Sequence, residues 1–183
     1  MGKITETVKV LLIVNVIFFL GSSFLGDRAY LYFAMWFPEN ENFRIWQIVT
    51  HMFMHGDFFH LLFNMYGLYA FGSAVESFWG QKRFLFFYFS AGLGAVGLQV
   101  LLTYIGYNNG IQDLLDLGIT TTEITEFFAL PRNEINPEYM DLWNKQNVPM
   151  VGASGAVYGI LVAFGIYVIP KTIIYIFKGI KLW

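Results

Sequence analysis

The chain has 183 residues, enough for one soluble domain or for a handful of membrane spans. It is 56% hydrophobic and only 13% charged, where soluble domains carry about a quarter charged residues, so the composition excludes a soluble fold and leaves an integral membrane protein. The net charge of −2 gives no reason to expect a nucleic-acid partner, and the absence of cysteine removes disulfides and thiolate metal sites.

A transmembrane helix needs about 20 mainly apolar residues. In chain order, the candidate spans are 8–25, 58–78, 84–105 and 151–169, closed by Pro170, with an incomplete fifth at 173–183 that Lys178 and Lys181 interrupt. The first could pass for a signal peptide, since Lys3 and Lys9 precede the apolar run and Gly21, Ser22 and Ser23 follow. Its run continues to Leu25 and further spans follow, so a retained anchor is expected. The fold class is therefore all-α and polytopic, read as one membrane domain over 1–183.

The segment between the first two spans, 26–57, is rich in aromatics, including Tyr30, Tyr32, Trp36 and Trp46. Trp and Tyr favour the membrane interface, so this loop is expected to be structured and to lie partly in the headgroup layer. The segment 106–149 is polar and acidic, with Ile111–Leu117 and Thr122–Leu130 as short amphipathic helices and a cap near Thr120. With the N-terminus inside, the inner face receives seven Lys and Arg and the outer face four. Both long segments and Ser154 then face outward.

Polar side chains inside spans are costly and tend to face the bundle interior. His60 and Asn64 lie four apart on the second span and share a helical face, and both can donate to an oxygen beside it. Ser154 stands at the same outer level, at the mouth of the fourth span. A nucleophile facing two donors suits acyl transfer, where negative charge develops on a carbonyl oxygen. A helix from Gly155 to Ile169 would span about 22 Å. That is short of the core's roughly 30 Å, so the preceding loop would dip into the membrane. A start at Val148 removes that argument. The competing reading is packing: Gly155 and Gly159 form GxxxG, and His60 and Asn64 could be an interhelical pair. His51 and His55, also four apart, raise a metal site, but no HExxH accompanies them, and imidazoles bonded to backbone are expected instead.

Trp46-Gln47, Thr50-His51 through His55, His60-Leu-Leu-Phe-Asn64, Gly72 to Glu76, Gly152-Ala-Ser-Gly155 and Tyr158, in this order, resemble the rhomboid family of intramembrane serine proteases. The resemblance implies a partial rhomboid-like bundle in a bacterial cytoplasmic membrane, acting without cofactor or metal on transmembrane protein substrates in the lipid bilayer. It makes Ser154 the nucleophile of a serine-type endopeptidase. His60, Asn64 and the Ser154 N–H would hold the oxyanion. His51 and His55 would brace the first loop. Gly152 and Gly155 would permit close approach, Tyr158 would pack against the base, and Glu76 would bond near the inner end of span two. Gln47 stands where the family often has arginine, which puts a salt-bridging role there in doubt. The family's base sits on a sixth span in an Ala-His-x-x-Gly-like motif, and no histidine follows Ser154 in these residues. The sequence thus reads as a C-terminally truncated rhomboid of little or no activity, or alternatively as a silent relative that binds transmembrane clients.

Overall fold

The first apolar run forms α1, Glu6–Leu25, which opens two residues earlier than expected. In the computed structural model, which describes residues 3–168, this early start has a clear cause. The carboxylate of Glu76, far along the chain, accepts the Thr7 N–H at 3.3 Å, the Val8 N–H at 3.1 Å and the Thr5 hydroxyl. Amides at a helix start have no intrahelical acceptor, so a buried carboxylate from the second span serves as the cap. The end of the fourth span at Ile169 and the incomplete span 173–183 lie outside the described residues.

The first loop carries two short helices, α2 (Asp27–Phe33) and α3 (Gln47–Thr50), followed by a 3-10 turn, His51–Phe53. Gln47 is fully buried and organises it. Its Oε1 accepts the Arg44 and Trp36 N–H groups at 3.0 and 3.4 Å. Its Nε2 donates to the carbonyls of Leu31 and Asn42 at 2.9 and 3.0 Å. A neutral amide can do this because every partner is a backbone group, so the loop is tied without an ion pair at this position.

The second span is continuous: α4 (Phe58–Gly67), a π-helical turn at Leu68–Gly72 and α5 (Ser73–Trp79) run end to end. Asp57 caps it by accepting the His60 N–H at 2.9 Å. The third span differs from expectation. Instead of ending near Ile105, α6 runs unbroken from Gln81 to Asp116. Gly106 and Gly110, which look like breakers, are where a second helix packs: a Cβ on either would meet Lys145 or Leu142 at 2.7 Å. Burial against that helix overrides the weak helical propensity of glycine. α6 ends in a paired-bond cap, with Ile119 N–H on Leu114 C=O and Gly118 N–H on Leu115 C=O, Gly118 taking φ +84°.

The acidic segment folds as α7 (Thr121–Ala129) and α8 (Met140–Asn147) against this extension of α6. The lobe has a small core of its own around Leu114, Ile124 and Leu142. The helix expected at Thr122–Leu130 is α7, and its Thr120–Glu123 capping box sits at the expected cap. The expected helix at Ile111–Leu117 is the end of α6.

The last apolar element, α9, starts at Ser154 and runs to Ala163, followed by a π-helical turn at Phe164–Val168. It lies tightly against α6, where a Cβ on Gly155 would meet Ala95 at 2.5 Å and one on Gly159 would meet Ala91 at 2.6 Å. The GxxxG pattern is therefore a packing face in fact. The main core, with Val8, Leu68, Phe84, Tyr88, Ala156 and Ile160, joins the four spans. Outside it, large apolar side chains stand open, Phe24 at 91%, Phe86 at 76% and Phe63 at 70%. Soluble proteins rarely leave such surfaces bare, whereas a bilayer covers them. The chain is a helical membrane protein.

Candidate active site

The loop before α9 is built to bring a serine to a helix start. Residues 148–153 are non-helical, so α9 begins at Ser154 rather than at Val148. Gly152 takes φ +120°, a conformation that side chains resist, and its N–H donates to the His51 carbonyl at 2.9 Å. The first helical bond in α9 is from Val157 N–H to Ala153 C=O at 3.0 Å. The N–H groups of Ser154, Gly155 and Ala156 therefore lie outside the ladder and are free to meet an anion.

Across from this loop, α4 presents His60 and Asn64. A cavity of about 510 Å³ is lined by His60, Asn64, Gly67, Phe71, Ser154, Val157 and Tyr158, among others. The residues singled out in sequence on two separate spans thus share one space. His60 Nδ1 accepts the Gly56 N–H at 3.4 Å, which leaves the imidazole proton on Nε2. That Nε2 is close enough to Gly152 that a Cβ there would lie 2.7 Å from it. Asn64 is buried, and its Nδ2 donates one hydrogen to the His60 carbonyl at 2.8 Å, leaving its second N–H uncommitted. Ser154 is half-buried, and its hydroxyl meets no hydrogen-bond partner among the described residues.

The other two histidines are bound to backbone. His51 Nδ1 donates to the Gln47 carbonyl at 2.8 Å. His55 Nδ1 donates to the Phe53 carbonyl at 3.3 Å, and its ring stacks edge-on to His60 with centroids 5.1 Å apart. Burial first, then the neighbouring charge of His60, pushes the His55 pKa down to about 4. Burial lowers His51 as well. Both imidazoles therefore hold their places as neutral groups. His55 Nε2 is buried without a partner.

Tyr158 stands one turn beyond Ser154 and is 68% exposed. The expected packing of its ring against a base has no counterpart among the described residues. A second cavity of about 340 Å³ lies on the other side of Ser154, lined by His51, Gln99, Gly152, Gly155 and Tyr158, among others. Gln99 escaped notice in sequence, although a lone amide within the apolar run 84–105 is the kind of residue that marks a site. Asn40 was also missed, since polar residues are ordinary in the first loop and carry no signal, and Gln47 was noticed only for standing where the family often has arginine.

Comparisons with known proteins bear on the whole. A family model described as a rhomboid domain matches residues 42–182. A rhomboid protease GlpG of Salmonella choleraesuis (strain SC-B67) is 30% identical over 77 residues, covering 42% of this chain and 28% of that protein. Proteins of the same name from Salmonella paratyphi A and Salmonella typhi are 29% identical over the same length and shares. The matched stretch thus spans less than a third of the length of these curated relatives.

Proposed function

The chain belongs to the rhomboid family, and from that premise we propose that it carries the nucleophile half of an intramembrane serine endopeptidase acting on transmembrane helices of other membrane proteins. Ser154 attacks the scissile carbonyl. His60 Nε2, Asn64 Nδ2 and the Ser154 N–H receive the oxygen as it becomes negative. The observation that carries this reading is the single cavity lined by Ser154, His60 and Asn64 at the open start of α9. Preformed donors in a site walled by apolar helices cost nothing to reorganise during reaction, which is why they favour the transition state. The site faces the outer side of a bacterial cytoplasmic membrane, with the N-terminus inside.

A serine needs a base to accept its proton. Burial lowers the pKa of His51 and His55, which weakens both as bases, and His60 holds its proton on Nε2 with its Nδ1 under the Gly56 amide. His60 as base would also cost the oxyanion site a donor. For these 183 residues alone, cleavage is therefore expected to be weak or absent. One observation favours a second reading, a client-binding protein that does not cut: the Ser154 hydroxyl has no hydrogen-bond partner among the described residues.

The test compares the chain with Ser154→Ala on a transmembrane substrate carrying a photo-crosslinker. Cleavage, however slow, that vanishes in Ser154→Ala supports the protease. Equal crosslinking by both chains, with no product and no reaction of Ser154 with a fluorophosphonate probe, supports the binder and overturns the nucleophile assignment.

A further inference from the structure

Between the acidic lobe and Ser154 runs a strap, residues 146–152, and apart from the Asn147 side chain, which donates to the Phe128 carbonyl at 3.1 Å, its long-range hydrogen bonds go to one place. The Gln146 carbonyl, at the end of α8, accepts from Asn40 Nδ2 at 2.9 Å. Met150 pairs with Met35 in both directions, N–H to carbonyl at 2.8 and 2.9 Å, the one β-bridge among the described residues. Gly152 N–H bonds to the His51 carbonyl at 2.9 Å. Met35, Asn40 and His51 all belong to the first loop.

Beneath the strap the packing is open. A cavity of about 260 Å³ is lined by Met35, Phe37, Val148, Pro149 and Met150, with α6 and α8 residues behind. Hydrogen bonds rather than dense side-chain contact therefore hold this stretch. The first loop, in contrast, is firmly seated: Gln47 ties it internally, and the Phe37 ring lies 5.1 Å from that of Tyr107 on α6.

Asn40 is the joint between the two. It is 8% exposed, and its amide serves both sides at once. Oδ1 accepts the Asn42 N–H at 2.8 Å, shaping the first-loop turn, while Nδ2 reaches across to Gln146. A buried side-chain donor that satisfies a helix-end carbonyl from another segment restrains that helix end as a cap does. We infer that Asn40 is a positioning residue for Ser154: by fixing the end of α8 to the first loop, it sets where the strap, Gly152 and the serine come to rest, and it makes the acidic lobe part of the site's framework. The inference draws its functional meaning from the Ser154 reading, but its physical content can be tested without proteolysis.

The chain has no cysteine, so Ser154→Cys provides a single thiol at the site. The key substitution is Asn40→Asp, which keeps the acceptor for Asn42 and removes the donor to Gln146. In the Ser154→Cys background, two quantities are read: the alkylation rate of that thiol by a water-soluble maleimide, and hydrogen exchange of the 146–153 stretch. Loss of one such bond should speed both by about tenfold. Exchange in the 37–43 turn should stay unchanged, and Glu126→Gln on exposed α7 should change neither quantity. Unchanged thiol reactivity and exchange at 146–153 in Asn40→Asp would overturn the inference, as would a rise shared equally by the 37–43 turn. If Asn40→Asp fails to fold, Asn40→Ala, which adds no charge, carries the same expectation at 146–153. Because neither readout needs cleavage, the inference can fail while the nucleophile assignment stands, and the reverse.

Discussion

The two ends of the second span are both polar and both buried against neighbouring elements, yet they use their hydrogen-bonding groups in opposite ways. At the Glu76 end the carboxylate and the amides it meets are matched, and the Thr7 hydroxyl alone among these groups is buried without a partner. The carboxylate takes two amides and a hydroxyl from the start of α1, and no cavity opens beside it among those described above. At the His60 end the donors are left over. His60 Nε2 and one Asn64 N–H face a cavity, and the nearby Ser154 hydroxyl and the first α9 amides have no acceptor among the described residues. Buried polar groups in stable structure are nearly always satisfied. A cluster of uncommitted donors around one space is therefore better explained by something that arrives there than by the fold.

The contrast breaks if the two ends respond alike to substitution. Glu76→Ala strands the Thr7 and Val8 amides in a buried place, where each unmet group costs about 1–3 kcal/mol. A thermal melt in detergent should show a loss of about 3 kcal/mol. Reaction of Ser154 with a fluorophosphonate probe, counted per folded molecule, should be unchanged. His60→Ala should do the reverse: stability within about 1 kcal/mol of the parent, and the probe reaction slowed about a hundredfold or more, as for loss of an oxyanion donor. If Glu76→Ala slows the probe while His60→Ala unfolds the protein, the division between scaffold and site is wrong.

Gly152 sharpens the same contrast from the loop side. Alanine there meets two obstacles, the φ of +120° and a Cβ placed 2.7 Å from His60 Nε2. The backbone strain alone is of order 1–3 kcal/mol. Gly152→Ala should lower stability by about 2 kcal/mol. It should also turn the His60 ring away from Ser154, so that the probe reaction falls further than stability predicts. Gly118→Ala, at φ +84° with open space around it, should cost stability by a similar amount and leave the probe reaction alone. Equal effects of the two on the probe would remove the special role of Gly152.

How far the sequence disclosed this follows from which residues stand out against their background. His60, Asn64 and Ser154 were legible because polar groups in apolar runs are rare and their spacing is fixed by helical geometry. The start of α9 was left open between Gly155 and Val148, since a run of small residues around Ser154 fits both a helix-packing face and a loop. The length of α6 was misread for the same reason: Gly106 and Gly110 look like an end, and only the presence of α8 over them shows that they are a contact face. The partners of Gln47 and Asn40 were invisible because they are backbone groups up to 106 residues away, which no local pattern records.

Acid tests the site end through its histidines. The His55 pKa lies near 4 in the folded chain, against 6.5 for a free imidazole. The unfolded chain therefore binds the proton first as pH falls. The stability from keeping this ring neutral is complete above about pH 6.5 and declines from there toward pH 4, and the lowered His51 adds in the same direction. Melts at pH 7.5 and pH 5 should differ, with the lower pH less stable, and His55→Gln should flatten that slope. A slope that survives His55→Gln would place the acid response elsewhere.

The smallest effect concerns the lobe, and it decides whether the lobe is a passenger. Thr120 and Glu123 form a reciprocal cap at the exposed start of α7, with Thr120 N–H on Glu123 Oε2 at 2.8 Å and Glu123 N–H on Thr120 Oγ1 at 3.3 Å. Those bonds from Thr120 hold the Glu123 carboxyl below its ordinary pKa. Thr120→Ala should cost about 1 kcal/mol, the usual value of a lost cap. The cost falls on α7, whose Phe128 and Leu130 carbonyls are bonded by Asn147 and Trp143 of α8. If the lobe only decorates the bundle, hydrogen exchange should quicken in 120–130 alone. If it supports the strap, the quickening should continue through α8 to 146–153, at a fraction of its size in α7. α8 is joined to α7 on one side and to Asn40 on the other, while Leu142 and Lys145 rest on α6 at Gly110 and Gly106. Loosening one side of so short a helix should be felt at its far end, and exchange confined to 120–130 would show that it is not.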